Sequence, residues 1–405
     1  MSTSLLYHTQ GIREYQFEHY GPYINGNVVC YIRRKYFYCS KCNCPQVSVN
    51  IIKERTIRGE NIGNKLFYLK VPVHRMYCKN CQSVTIENLS FLSSPKARIT
   101  KSMERTIIEL RSEMSISAIS KFFDLDWRTV KDCEKKHLAR KFRHILLKHV
   151  TTIGIDELYV KSQGNEKYIT IARDLESGSV LFVGNGKGVE SLALFGKRLK
   201  RSKSSISVVA MDMSKSYISW VKEVLPEATI VFDHFHVIKL MNDKLDKVRR
   251  RTSLNLDDEQ RKLLKNQRFL FLRNVENLEA DARQLLDNLR KVFKELGDVS
   301  MMKEGLRSIY HIAANVCQAE AAFKNWCSIA RETQIKELEE MAKTIENNLH
   351  GIVGYWKTNS LSNAGMEGFN NKVRWLIRQA YGFRDKEYFI LKIYNLPNTK
   401  TEADL

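Results

Sequence analysis

Thr151-Thr-Ile-Gly-Ile-Asp156-Glu-Leu-Tyr-Val160 decides how this chain is read. Its β-branched and apolar residues, with turn-prone Gly154 ahead of Asp156, predict a strand. The strand carries one carboxylate among apolar neighbours, and burying a charge there is costly unless a cation meets it. A lone Asp at a strand end is ordinarily a turn-capping residue. Asp156 is not alone. Val208-Val-Ala-Met-Asp212-Met-Ser presents a second acid near the C-terminal end of a short strand. Ser362-Asn-Ala-Gly-Met-Glu367-Gly-Phe-Asn opens a helix with a Glu in its first turns. Two strand carboxylates and one helix carboxylate can hold two divalent cations about 3.5–4 Å apart. Oxygen ligands suit Mg²⁺ and also Mn²⁺.

Composition bounds the rest. The 405 residues make two to four modules the reasonable expectation, and 43% hydrophobic content is enough for real cores. No apolar run reaches the roughly 18 residues of a membrane span. The stretch Met1-Ser-Thr-Ser-Leu-Leu-Tyr-His lacks the pattern of a signal peptide. A soluble cytoplasmic protein with no membrane partner is therefore expected. Lys and Arg number 66 against 45 Asp and Glu, a net +21. Residues 1–150 hold 26 of the former and 12 of the latter, or +14, so about two thirds of the excess lies there. That asymmetry points to a polyanion, and to nucleic acid first.

Residues 1–38 are aromatic-rich and read as short strands. Cys39-Ser-Lys-Cys42 and Cys78-Lys-Asn-Cys81 follow, 35 residues apart. Two such knuckles fit one tetrahedral zinc site, each giving two thiolates at about 2.3 Å. A strand over 66–72 would fill part of the gap. Cys30 and Cys44 are spare thiols that could replace a ligand. Four thiolates close the coordination sphere, which makes the zinc structural. With few other signs of a core in residues 1–95, that module is expected to need zinc to fold.

Residues 96–150 turn helical. A helix over 102–111, a second from Ser115-Ile-Ser-Ala-Ile-Ser-Lys-Phe-Phe, the turn Asp124-Leu-Asp, and Trp127-Arg-Thr-Val-Lys-Asp-Cys-Glu-Lys-Lys-His describe a helix-turn-helix, although its turn lacks Gly. The base-reading face would be Arg128, Thr129, Asp132 and Lys135. Lys131 and Lys136 would meet phosphates.

From 151 the pattern changes again. Strands are predicted over 167–173, 179–183, 207–211 and 228–232, and helices over 189–200 and 215–224. Asp233-His-Phe-His236 then opens a long helix. This β-β-β-α-β-α-β-α order, with acids on strands one and four, is a ribonuclease-H-like layout. Residues 251–355 interrupt it as an all-helical insertion, and 356–395 complete the core. On the Glu367 helix, Asn371, Arg374 and Arg378 share one face, suited to a phosphodiester backbone beside a metal. Residues 396–405 read as a polar tail. The expected fold class is thus multidomain α/β: a ribonuclease-H-like catalytic core with a helical insertion, preceded by a zinc-binding module and a helix-turn-helix.

These features resemble the DDE transposases of bacterial insertion sequences, in the family called ISL-three. The resemblance rests on the paired knuckles, Ser117-Ala-Ile-Ser with Trp127-Arg-Thr-Val-Lys-Asp, Gly154-Ile-Asp-Glu, Met211-Asp-Met-Ser, Asp233-His-Phe-His, Arg268–Asn277, the Glu367 stretch and Ala380-Tyr-Gly-Phe-Arg. It runs from about residue 39 to 384. It implies Asp156, Asp212 and Glu367 as the catalytic triad binding two Mg²⁺ or Mn²⁺, and Cys39, Cys42, Cys78 and Cys81 as ligands of one zinc. Asp233 and His236 look like an accessory D-x-x-H element, with His236 orienting the scissile phosphate or the water. One departure is the Met on either side of Asp212, where a more polar residue before the acid is expected. The implied activity is metal-dependent strand cleavage and strand transfer at transposon ends, by a homodimer or higher oligomer on double-stranded DNA. Two other classes are a transposase-derived DNA-binding regulator without catalysis, and a ribonuclease-H-like nuclease without strand transfer. The presence of all three acids counts against the first, and the end-recognition modules count against the second.

Overall fold

Alternating apolar residues at 67, 69, 71 and 73 pack one face of a long strand, and the first folded unit is built on it. The computed structural model describes residues 3–21, 26–160, 167–359, 361 and 363–397. The chain divides into two compact units, Met1–Arg143 and His144–Leu405. Most of the expected tail, and Ser362, lie outside the described residues.

In the first unit, α1 (Thr3–Gln10) precedes β1 (Tyr15–Tyr20), β2 (Val28–Arg34), β3 (Val47–Ile62), β4 (Lys65–Cys78) and β5 (Val84–Ile86). Short strands were expected over residues 1–38, and β1 and β2 are such strands, but Thr3–Gln10 is helical. The sheet order is β1-β2-β4-β3, with β5 added to β4. Only β2 and β4 run parallel. The strand expected over 66–72 extends to Cys78. Pro72 is tolerated within it because β2 pairs only as far as Lys70 and β5 starts at Arg75, so β3 is the single neighbour between. Leu6, Ile12, Tyr15, Ile32, Phe67, Leu69 and Phe91 belong to a continuous core that contains none of the knuckle cysteines. This corrects the expectation that residues 1–95 have little core of their own.

Three helices complete the unit: α2 (Lys101–Leu110), α3 (Ile116–Phe123) and α4 (Trp127–Lys141). Thr100, Ser115 and Asp126 cap their N-termini by accepting from the N–H groups of Met103, Ala118 and Arg128. The turn without Gly closes because Asp124 takes the left-handed conformation at φ +50°. Met103, Ile107, Ile119, Phe123, Val130 and Cys133 form their shared core. The nearly buried pair Arg111 Nε to Glu134 Oε2, at 2.7 Å, joins the end of α2 to α4.

The second unit centres on a five-stranded sheet. Its strands are β6 (Thr152–Tyr159), β7 (Tyr168–Asp174), β8 (Val180–Asn185), β9 (Val208–Met211) and β10 (Thr229–Phe232), in the order β10-β9-β6-β7-β8. β6, β7 and β8 are antiparallel; β9 and β10 run parallel to β6. Helices α5 (Val189–Ser202) and α6 (Lys215–Val224) connect them. The near-continuous apolar burial of β7, β8, β9 and β10 marks strands covered on both faces.

Between β10 and the Glu367 helix the described residues form helices and connecting turns: α7 (His234–Leu254), α8 (Asp258–Leu264), α9 (Arg268–Leu272), a 3₁₀ turn at Val275–Asn277, α10 (Ala280–Val292), α11 (Lys294–Ile312), α12 (Val316–Glu332), α13 (Lys336–Ile352) and α14 (Gly354–Lys357). They share one core with the sheet. Lys303, 1% exposed, spends its ammonium on the carbonyls of Phe271 and Arg273, both at 2.8 Å, which would otherwise be orphaned at the end of α9. Then α15 (Ala364–Gln379) and α16 (Lys386–Tyr394) pack Met366, Phe369, Val373 and Ile393 against residues of β6, β7 and β8.

Candidate active site and metal centre

Register assembles the acids. In the parallel pairs, Gly154 lies beside Ala210 and Phe232 beside Met211. Continuing those registers sets Asp156, within β6, beside Asp212 and Asp233, which directly follow the C-terminal ends of β9 and β10. The N–H of Asp233 donates to Met211 O at 3.1 Å, which ties the ends of β9 and β10 together. Carboxyl ends of strands in an open α/β sheet are where ligands ordinarily bind.

Each acid is held. Asp156 Oδ1 accepts from the N–H of Glu157 at 2.8 Å, and Oδ2 from Asn370 Nδ2 at 2.6 Å. Asp212 Oδ1 accepts from the N–H of Ser214 at 3.1 Å. Asp233 is buried and caps α7 through the N–H of Phe235. His236 Nδ1 stands 3.5 Å from Asp233 Oδ2.

Burial pushes the Asp156 carboxyl above the usual carboxylate range, and the Asp212 charge adds to that rise. The N–H of Glu157, His236 and the Asn370 amide act in the opposite direction. The Asp233 carboxylate raises His236 above its ordinary value, burial opposes, and Asp156 and Asp212 add to the rise. Asp156 and His236 thus both lie in the field of Asp212.

Glu367 is exposed on α15, one helical turn before Asn370. Among the described residues no hydrogen bond or ion pair joins it to Asp156 or Asp212. Among the described residues, the four cysteines of the first unit bring their ligand atoms within 4.8 Å of one another, and Asp156, Asp212 and Glu367 do not. Asn371, Arg374 and Arg378 are exposed on the same helix, and Arg374 Nη1 donates to Asn371 Oδ1 at 2.7 Å.

Two residues of this site escaped the sequence reading. Asn370 reaches Asp156. The apolar stripe Met366, Phe369, Val373 and Leu376 fixes the buried side of α15 and puts 370 on it, so the signal was present. Arg173 on β7 stacks its guanidinium over the Phe369 ring at 4.1 Å and donates to Gly365 O at 2.8 Å. It fastens the first turns of α15 to the sheet. Gly154 makes the close approach possible, because a Cβ there would stand 2.7 Å from Asn363 Oδ1 and 3.0 Å from Met366 Cγ.

The cysteine cluster lies in the first unit. The sulfurs of Cys39, Cys42, Cys78 and Cys81 lie within 4.8 Å of one another, with Cys39–Cys81 and Cys42–Cys78 at 3.5 Å. The two knuckles repeat one geometry. The N–H of Cys39 donates to Cys44 O and that of Cys78 to Ser83 O. Asn43 and Gln82, each following its second cysteine, have φ of +56° and +51°. The N–H groups of Cys42 and Lys41 lower the Cys39 thiol to about 6. Cys30 is buried in the sheet core, and Cys44 is outside the cluster. Two similarly built turns converging four sulfurs suit a tetrahedral metal.

A family model described as a transposase, the ISL-three group of the DDE type, matches residues 153–393, more than half of the chain. The chain belongs to this family. A transposase for insertion sequence element IS1001 from Bordetella parapertussis is 29% identical over 363 residues, 89% of this chain and 88% of that protein. A transposase for insertion sequence element IS1557 from Mycobacterium tuberculosis is 25% identical over 316 residues, 72% of this chain and 70% of that protein. Among solved structures, the Drosophila P element transposase strand transfer complex aligns with 81% of this chain and 95% of that chain, at 13% identity and a TM-score of 0.39. That likeness is too distant to bear on mechanism. As a transposase of insertion-sequence type, this protein works by cleaving and transferring DNA. Among the described residues no helix is long and apolar enough to cross a membrane.

Proposed function

We propose that this transposase binds the terminal repeats of its element and cuts and joins DNA at a ribonuclease-H-like site where Asp156, Asp212 and Glu367 hold divalent cations. The observation that carries the reading is the register that aligns Asp156, Asp212 and Asp233 across three adjacent strands, with α15 fastened to Asp156 through Asn370. The donor set fits a hard cation: oxygen ligands only, with Asp156 raised by burial and by the Asp212 charge, a repulsion that a cation relieves. Mg²⁺ or Mn²⁺, when bound as a pair, supplies activation of a water or 3′-hydroxyl and stabilisation of the leaving oxygen. Asp156 and Asp212, held by the N–H groups of Glu157 and Ser214, would present their carboxylates to the cations, and Glu367, exposed on α15, would complete the set. His236, raised above its ordinary value by Asp233, would face the scissile phosphate. Arg374 and Arg378 hold the backbone beside it.

In the first unit, residues 1–95 form a zinc module with one metal on Cys39, Cys42, Cys78 and Cys81, and residues 96–150 form a helix-turn-helix with α4 as the reading helix. The catalytic core comprises 151–250 and 356–395, interrupted by the helical insertion at 251–355. Two or more copies work together on paired ends and target.

The test is nicking of a transposon-end duplex with Mg²⁺ alongside a gel-shift. Asp156→Asn, Asp212→Asn and Glu367→Gln each keep side-chain shape and lose charge, so cleavage should vanish while binding persists. Substantial cleavage by any one removes that residue from the site.

A further inference from the structure

A cavity of about 230 Å³ opens in the first unit, away from the cysteines and from α4. Arg13, from the link between α1 and β1, lines it together with Lys101, Ser102 and Arg105 of α2. Lys101 and Arg105 are four residues apart, so they emerge on one side of the helix, where like charges repel.

None of these three cations is paired with a carboxylate among the described residues. Lys101 Nζ donates to the carbonyl of Ser90 at 2.8 Å. Arg13 Nη2 donates to the hydroxyl of Tyr7 at 2.9 Å. Glu14 also lines the cavity, but its carboxylate is engaged by Arg34 at 2.7 Å. Nearby acids are occupied as well. Glu104 accepts from Ser93, and Glu60 accepts from Ser102 and Thr106 at 2.7 and 2.8 Å. Three cations with no carboxylate partner, set around one concavity, are a site for an anion with several acceptor oxygens.

We propose that this cavity clasps a phosphate of the duplex DNA backbone through Arg13, Lys101 and Arg105. The proposal rests on the end-binding reading above and adds a contact outside the reading helix. Its consequence is positional. Met103 and Ile107 of α2 share a core with Val130 and Cys133 of α4, so a phosphate held at α2 sets the position of α4 along the duplex.

The test measures binding of the full-length chain to cognate and random duplexes across a salt series. The double variant Arg13→Ala with Arg105→Ala should flatten the dependence of log K on log salt by about one unit per phosphate lost. The loss should be equal on the two duplexes, since phosphate contacts carry no sequence information. Arg105→Lys alone should keep the wild-type slope, and Lys53→Ala, which removes an exposed charge outside the cavity, should leave it unchanged. Unaltered melting temperature and zinc content confirm that the double variant is folded. A double variant with the wild-type slope overturns the proposal and leaves the end-binding reading standing; so does a Lys53→Ala variant that flattens the slope equally, which means diffuse charge. Wild-type chain that binds no duplex overturns both. Orthophosphate is titrated separately against the DNA-free chain. A thermal shift that the double variant loses, with duplex slopes unchanged, assigns the cavity to free phosphate and overturns the backbone contact.

Discussion

Asn370 Nδ2 donates to Asp156 Oδ2 at 2.6 Å, joining the helix of the third acid to the strand of the first across 214 residues of chain. Asn370 is 3% exposed, and its own Oδ1 has no partner among the described residues. An unpaired buried carbonyl is tolerated here for the sake of the donor. The bond fixes the Asp156 carboxylate and sets the phase of α15, with Asn370 turned inward and Glu367 exposed one helical turn before it.

It follows that Asn370→Ala should lower cleavage by about 10–100-fold, the range for groups that orient metal ligands. The loss should appear mainly as a higher Mg²⁺ requirement, and Mn²⁺ should restore part of it. Asn370→Asp, which sets a carboxylate against Asp156, should be worse than Ala. Cleavage measured over a metal titration checks both. A variant with an unchanged metal requirement would show the contact to be incidental.

Gly154→Ala tests the same approach from the strand side. The new Cβ would stand 2.7 Å from Leu175 Cδ2 and from Asn363 Oδ1. Overpacking of this kind costs about 1–3 kcal/mol. A lower melting temperature is expected, with cleavage falling further than stability because α15 is the element displaced. Thermal unfolding beside cleavage at a temperature where the variant is fully folded separates the two effects.

Zinc removal should act locally. Four thiolates around zinc can contribute about 10–16 kcal/mol of apparent binding energy at neutral pH. The sheet core from Leu6 to Leu92 stands apart from the knuckles. Chelation, Cys39→Ser or Cys78→Ser should therefore release one zinc per chain and free the knuckles, while the sheet melts at a lower temperature instead of being lost outright. Metal analysis with hydrogen exchange at residues 39–46 and 78–83 reads this directly. Full protection there in the zinc-free chain would refute the metal's role.

The elements most legible beforehand were those with a short-range signature. The knuckle spacing named all four clustered cysteines, and the strand expected over 207–211 is observed at Val208–Met211. The helix expected over 215–224 is observed at those bounds. What stayed hidden depends on contacts distant in sequence. Asn371 was read as sharing a face with Glu367, Arg374 and Arg378, and all four are exposed; Asn370 was not singled out, and packing of Phe369 and Val373 turns it inward. Arg173 could not be singled out, because its partners, Gly365 and Phe369, lie nearly two hundred residues away. The core of the first unit was missed because its residues come from α1, the link after it, four strands and the loop at Leu89–Leu92, and the alternation legible in β4 alone does not say what packs on it.

The division of charge yields the last prediction. On α4, Val130, Cys133 and Leu138 face the core, leaving Arg128 and Lys136 exposed and Lys135 partly so. If α4 reads base edges, Arg128→Ala and Lys135→Ala should weaken binding to the cognate end more than to random duplex, by about 1–3 kcal/mol of discrimination. Lys131→Ala and Lys136→Ala should weaken both nearly equally and flatten the salt dependence by about one unit each. Arg374→Ala and Arg378→Ala lie on the Glu367 helix, so they should slow cleavage or strand transfer while initial end binding persists. Binding against salt on two duplexes, with cleavage rates for all six variants, distinguishes these outcomes. Loss of cognate preference in the Arg374 and Arg378 variants, with preference intact in the α4 variants, would move sequence reading from α4 to the catalytic unit.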